Sequence, residues 1–161
     1  MTFKDGPSSD YVVGIQAACA GADIYLIDRV KGQWAFAESC RRMIELYQRY
    51  PKSKPILVEE AANGAAIINV LSRQIPGIVG VKPEGGKHAR AQAAQPIVEA
   101  GNVWLPNPRP HGRLLPERAW VDDFLYQLCA FPSAAHDDDV DAFSQLVARC
   151  LQPVRKEFAV W

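Results

Sequence analysis

Hydrophobic and polar positions along the N-terminal part of the chain predict a hairpin followed by a helix. Two runs rich in apolar and β-branched residues, 11–18 and 23–30, flank a turn at Gly21 and are typical of paired strands. Over 38–50 the apolar residues recur at helical spacing, and Pro51 ends that pattern. We therefore expect a β-hairpin and then an amphipathic helix.

Strands and helices alternate through the rest of the chain. The predicted elements are strands over 54–59, 78–81 and 103–105, and helices over 63–75 (capped by Asn63), 87–100, 120–130 and 137–151. Residues 106–118 are rich in proline and arginine, lack periodicity and predict a surface loop. This order predicts an α/β domain with a mixed sheet flanked by helices.

Length and composition narrow the classes of protein to which the chain can belong. A length of 161 residues suits one domain, which we expect to span 1–161 with a core over about 9–151 and a tail over 152–161. Eighteen basic and eighteen acidic residues give a net charge of zero, so any nucleic-acid site must be a local patch. The chain has neither a long apolar run nor an apolar signal core, which predicts a protein of the cytosol without membrane contact.

The four cysteines are Cys19, Cys40, Cys129 and Cys150. They are widely spaced, form no C-x-x-C pair and have apolar neighbours. We expect reduced thiols in the core rather than disulfides or metal ligands.

Three polar clusters carry candidate chemistry. The first is His136 followed by an acid run that includes Asp137, Asp138 and Asp141. These carboxylates repel one another unless a cation or the helix N-terminus offsets them, and Asp138 and Asp141 share one helical face. The run is either a ligand set or a helix-capping cluster. His136 either shuttles a proton, contacts phosphate, or only marks the helix entry.

The second cluster is Glu59-Glu60, at the C-terminal end of a predicted internal strand, where α/β sheets place their ligand crevices. The alternative is a solvated Glu60 and a Glu59 that caps the next turn. If Glu59 converges with Asp137 and Asp138, the oxygen ligands suit Mg²⁺ or Mn²⁺ and do not suit zinc.

The third cluster is the basic segment 82–90, where Gly85-Gly86 precede a helix start and Lys87 and Arg90 lie one turn apart. Backbone N–H groups at a helix start favour phosphate, so Lys82, Lys87 and Arg90 are candidate DNA contacts. An ordinary glycine turn with solvated lysines is the other interpretation.

In order and spacing, several short motifs resemble the C-terminal nuclease domain of the large terminase subunit of tailed phages and prophages. The motifs are 9–14 (SDYVVG), 25–28 (YLID), 58–64 (VEEAANG), 75–78 (IPGI), Lys87 with Arg90, 99–106 (EAGNVWLP), and Phe131-Pro132 leading to 136–138 (HDD). The resemblance implies an RNase H-like fold, similar to that of resolvases and integrases, with one five-stranded mixed sheet. A Holliday-junction resolvase is a further reading, which the motifs in the middle of the chain favour less.

The resemblance also implies an endonuclease that cuts concatemeric viral DNA with two divalent ions. On the family's pattern, Glu59 and Asp138 match catalytic acids, with Asp137 beside them. The implied partners are double-stranded DNA, the portal, the small terminase subunit and a packaging ATPase domain, which 1–161 does not contain. A homo-oligomer is a further expectation.

One departure from the family's pattern concerns the first catalytic aspartate. In the family it ends a strand that precedes a segment like 2–5, so it would lie upstream of Met1. Asp5 and Asp10 match other positions. We therefore expect weak or no cleavage, and the alternative function is an inactive remnant that keeps DNA or portal binding.

Overall fold

The computed structural model describes residues 11–60 and 63–152, and the elements of this part follow the predicted order. The strands are β1 (Val12–Ala20), β2 (Asp23–Gly32), β3 (Ile56–Glu59), β4 (Ile78–Val81) and β5 (Val103–Trp104). The α-helices are α1 (Phe36–Arg49), α2 (Gly64–Leu71), α3 (Lys87–Glu99), α4 (Trp120–Ala130) and α5 (Asp138–Cys150). Asp5, Asp10 and most of the predicted tail lie outside the described residues.

The described strands form two sheets. One has the order β1-β2-β5, in which β1 and β2 form the predicted hairpin and β2 runs parallel to β5, with Ile24 opposite Val103. The other consists of β3 and β4, which are parallel from Ile56 opposite Ile78 to Glu59 opposite Val81. The α/β class with a mixed sheet is confirmed. Among the described residues no ladder joins the three-stranded sheet to β3 or β4, whereas the family's fold has one five-stranded sheet.

The chain divides into two compact units. Within the described residues, the first consists of 11–16 with 28–86, and the second of 17–27 with 87–152. The prediction of one domain over 1–161 stays a prediction.

The first unit is built on α1 and α2. Its buried centre is Cys40, Ile67, Leu71 and Ile75, and the partly buried hydrophobic residues around it are Phe36, Met43, Ile44, Tyr47, Ile56 and Ile78. Because α1 and the β3–β4 sheet supply these side chains, the apolar stripe predicted for α1 does face a core. This packing fixes β3, which ends at Glu59.

The second unit contains α3, α4 and α5. Phe124 of α4 and Phe143 of α5 are 0% and 3% exposed and meet edge to face, with ring centroids 5.7 Å apart. Val121, Val140 and Val147 are buried as well. Val140, Phe143 and Val147 therefore form a buried stripe on α5, and this stripe fixes the helix whose first turn carries the acid run.

Helix α2 differs from its prediction at both ends. It ends at Leu71, and the backbone continues in turns, with Ile75 N donating to Leu71 O at 2.8 Å. Asn63 lies at the N-cap position but has helical angles (φ −87°, ψ −4°) and makes no side-chain cap hydrogen bond. The predicted cap is wrong because a capping side chain needs the extended backbone that Asn63 does not adopt.

The cysteine prediction holds only for Cys40, which is a buried free thiol whose pKa burial raises. Cys129 is free but exposed. Cys19 and Cys150 form a disulfide, with their Cα atoms 6.5 Å apart. The sequence could not show that the end of β1 meets the last turn of α5. No helix in the described part of the chain is long and apolar enough to cross a bilayer.

Candidate functional site

The acid run begins α5. Asp137 occupies the N-cap position, and Asp138, Asp139 and Asp141 lie in the first turn, where negative charge is favoured by the helix dipole. The Asp137 side chain makes no cap hydrogen bond, although its backbone carbonyl accepts one from Asp141 N at 3.0 Å. The Asp137 carboxylate therefore does not cap α5, and helix capping does not explain the presence of this acid.

The carboxylates of Asp137 and Asp141 contact α3, the basic helix of the third cluster. Lys87 Nζ lies 2.7 Å from Asp137 Oδ1, and Arg90 pairs with Asp141 Oδ1. Lys87 and Arg90 are one turn apart on α3, and Asp137 and Asp141 are one turn apart at the start of α5, so the two pairs form side by side. Two candidate DNA contacts thus neutralise two candidate metal ligands.

Burial differs between these two ion pairs. The Arg90 and Asp141 side chains are 13% and 20% exposed, whereas those of Lys87 and Asp137 are 37% and 39% exposed. Burial lowers the pKa of Lys87, but the hydrogen bond and charge of Asp137, with the charges of Asp141 and Asp138, outweigh it and raise that pKa overall. Lys87 therefore remains a cation at neutral pH, beside the acids.

Asp139 is an acid that the sequence reasoning did not single out. It is 0% exposed, and its backbone N–H donates to Oε1 of the buried Gln127 at 3.4 Å. The sequence spacing indicates that Asp139 is buried, because Asp139, Phe143 and Val147 recur every four residues on the buried face of α5. Asp138 lies one position away and is only partly buried.

The Glu59-Glu60 pair lies in the first unit, where Glu59 is the partly buried last residue of β3. Glu60 follows it, with its backbone N–H donating to Val81 O at 2.9 Å and its carboxylate 3.7 Å from Lys82 Nζ. Lys82 is 83% exposed, so this pair contributes little to stability and leaves the lysine accessible to phosphate. Convergence of Glu59 with Asp137 and Asp138 stays a prediction.

Gly64 fixes the backbone around Glu59. A Cβ added at Gly64 would overlap the carbonyl oxygen of Glu59, so α2 can begin beside the end of β3 only with glycine at this position. The backbone of Glu59 is thereby held against the start of α2.

Replacing Gly64 by alanine is expected to lower the free energy of unfolding by about 1–3 kcal/mol, because the backbone at Glu59 must move away. Urea denaturation measures the change. Gly86→Ala is the matched control, since a Cβ there meets nothing within 4 Å, and it should change stability by less than about 0.5 kcal/mol. Equal effects of the two substitutions would contradict this account of Gly64.

The residues present do not make a complete metal site within the part of the chain that the structure describes. No group of three His, Cys, Asp or Glu side chains is arranged there to hold an ion. Two of the predicted ligands, Asp137 and Asp141, have a basic side chain as their partner instead. His136, the remaining predicted contact, is exposed just before α5.

The sequence that carries these acids matches a known protein family. A family model for the terminase RNase H-like domain matches residues 2–149. The chain belongs to this family. The terminase match covers all five described strands and nearly all of α5, so it includes Glu59 and every residue of the acid run. No curated protein matches the chain. The predicted resemblance and the RNase H-like class are confirmed, and a terminase nuclease domain is the general function that this family supports.

Proposed function

We propose that this terminase domain is a divalent-metal-dependent endodeoxyribonuclease that cuts concatemeric viral DNA during packaging. The observation that carries the proposal is the acid run at the start of α5 in a chain of this family. Oxygen ligands of this kind take Mg²⁺ or Mn²⁺, and a two-metal site would activate water for hydrolysis of the phosphodiester.

The proposed metal ligands are Glu59 and Asp138, with Asp137 and Asp141 as further carboxylates. Asp137 and Asp141 would have to exchange a basic partner for the ion. Exchange is easier at Asp137, because its pair with Lys87 is more exposed than the pair of Arg90 with Asp141. Lys87, once released, is a cation available to a DNA phosphate.

The proposed DNA contacts are Lys82, Lys87, Arg90 and His136. Lys82 and His136 are exposed, whereas Arg90 is largely enclosed by its pair with Asp141 and would contribute mainly by holding that acid. The proposed partners are double-stranded DNA, the portal, the small terminase subunit, a packaging ATPase domain and a second copy of the chain. The host cytosol is the proposed location.

The second candidate function is binding of DNA or the portal without cleavage. The pairing of Lys87 with Asp137 and of Arg90 with Asp141 favours it, because these contacts satisfy the acids without a metal ion. Such a protein would bind DNA in a salt-sensitive way through Lys82 and the remaining cations.

Incubation of supercoiled plasmid with Mn²⁺, Mg²⁺ or EDTA separates the two functions. A nuclease is expected to nick the plasmid in Mn²⁺, not in EDTA, and to lose nicking in a Glu59→Ala variant. Glu99→Ala, which removes an exposed acid at the end of α3, is the matched control and should retain nicking. Salt-sensitive DNA binding without nicking in any metal would contradict the nuclease proposal and support the second function.

A further inference from the structure

Strand β2 has one buried face and one exposed face within the second unit. Ile24 and Leu26 are 2% and 3% exposed, whereas the alternate residues Tyr25 and Ile27 are 40% and 41% exposed. On the neighbouring β5, Trp104 is 51% exposed. Because side chains alternate along a strand, these residues place a large apolar surface on the solvent side of the sheet.

Two aromatic rings on this face form a flat pair. Tyr25 and Trp104 are opposite each other in the β2–β5 register, with ring centroids 6.0 Å apart and planes inclined by 15°. Trp104 Nε1 donates to Asp23 Oδ1 at 3.0 Å, and this hydrogen bond limits rotation of the indole. The rings therefore stand as a pre-oriented pair rather than as two independent side chains.

The pair lines an open groove of about 390 Å³, whose other walls come from β2 and from the two ends of the Pro/Arg loop, residues 106–118. Its lining includes Tyr25, Ile27, Trp104, Leu105, Pro106 and Arg118. This volume lies in the range of small-ligand pockets, about 300–1,000 Å³.

Arg118 gives the groove an uncompensated positive charge. Its Nη1 donates to the backbone carbonyl of Asn107 at 3.2 Å, and no carboxylate pairs with it in the described part of the chain. The nearby Arg109 differs, because Asp122 binds both of its terminal nitrogens, at 2.9 and 2.6 Å. A ligand that complements the groove therefore carries a negative charge beside a flat apolar group.

We propose that this groove binds one or two unpaired nucleotides of single-stranded DNA. A base would stack on the Tyr25–Trp104 pair, and a phosphate would contact Arg118. Every base has a face that can stack, so binding would depend little on sequence and would require the base to be unpaired. The groove contains none of the proposed metal ligands, so this inference goes beyond cleavage and does not depend on it.

The test is fluorescence anisotropy of a labelled oligothymidine about 10 nucleotides long, titrated with the full chain in EDTA so that no strand is cut. Trp104→Ala is expected to weaken binding by about 5-fold to 100-fold, whereas Trp104→Phe should retain most of it. Tyr126→Ala is the matched control, because that ring is 68% exposed on α4 and does not line the groove. It should leave the affinity unchanged.

Salt dependence tests the phosphate contact. Arg118→Gln is expected to reduce the slope of log affinity against log salt by about 0.7, the value for one phosphate contact on a single strand. Arg149→Gln, which removes an exposed arginine at the end of α5, should not change this slope. A thermal melt of each variant, unchanged from the parent chain, separates loss of binding from loss of fold.

Three results would overturn the proposal. The first is no measurable binding of the oligothymidine, and the second is equal binding by the parent chain and Trp104→Ala. The third is tighter binding of a proline-rich peptide that Trp104→Ala abolishes while the oligonucleotide is unaffected, which would assign the groove to a protein partner. Cleavage plays no part in these readouts, so failure of the nuclease proposal would leave them interpretable.

Discussion

Replacement of Asp138 by asparagine is expected to lower the rate of Mn²⁺-dependent DNA cleavage by about 100-fold or more. Substitution of groups that only support metal ligands commonly costs 10-fold to 100-fold, and loss of a ligand should cost at least as much. Asparagine keeps the shape of the side chain and removes its charge, so the fold should be preserved. Plasmid nicking in Mn²⁺ measures the rate, and calorimetric titration with Mn²⁺ measures binding without relying on turnover.

Asp122→Asn is the matched control for Asp138→Asn. Asp122 is also an acid in the first turn of a helix, α4, but it is paired with Arg109 on the protein surface. The hydrogen bond from Arg109 lowers the pKa of Asp122, so this control acid is ionised at neutral pH before substitution. Equal nicking by Asp138→Asn and Asp122→Asn, with equal Mn²⁺ binding, would remove Asp138 from the proposed ligand set.

The choice of Asp138 over its neighbours rests on the terminase pattern that the sequence resembles and on the burial of the other acids. Asp139 is fully buried on the stripe that packs α5, which makes it a structural acid. Asp137 and Asp141 are bound by Lys87 and Arg90. Asp138 is partly exposed in the first turn of the helix, where an ion can approach its carboxylate.

The order and type of the elements could be predicted from the sequence because the apolar spacing is strong over most of them. The hairpin, β4 and α4 lie close to where the pattern places them. The predicted helix over 63–75 extends past Leu71, where α2 ends. Ile75 is buried, but it belongs to a turn that follows the helix. Burial alone does not distinguish a helical residue from a turn residue that packs on the same core.

The contacts of the candidate site could be predicted only in part. The two basic residues of α3 and the acids of α5 were each visible as clusters with helical spacing. That Arg90 pairs with Asp141 depends on how α3 packs against α5, and these residues are 51 positions apart in the chain. The Cys19–Cys150 disulfide was missed for the same reason, since its sequence separation is 131. Local patterns specify faces, and tertiary packing decides which faces meet.

The acid run depends on the core beneath it. Helix α5 is held through the stripe that contains Phe143, and Phe143 packs on Phe124 of α4. Phe124 also meets Trp120 edge to face, with ring centroids 5.9 Å apart. Phe124 is therefore the central ring of three, and a change there should reach α5 although Phe124 itself lies on α4.

Replacement of Phe124 by alanine is expected to lower the free energy of unfolding by about 3–5 kcal/mol, because it leaves a cavity and removes both aromatic contacts. Such a loss is a large part of the 5–15 kcal/mol typical of a domain. Urea denaturation followed by circular dichroism measures it, with Tyr126→Ala, at an exposed position of the same helix, expected to cost less than about 0.5 kcal/mol. A loss below about 1 kcal/mol for Phe124→Ala would show that α4 does not hold α5 through this ring.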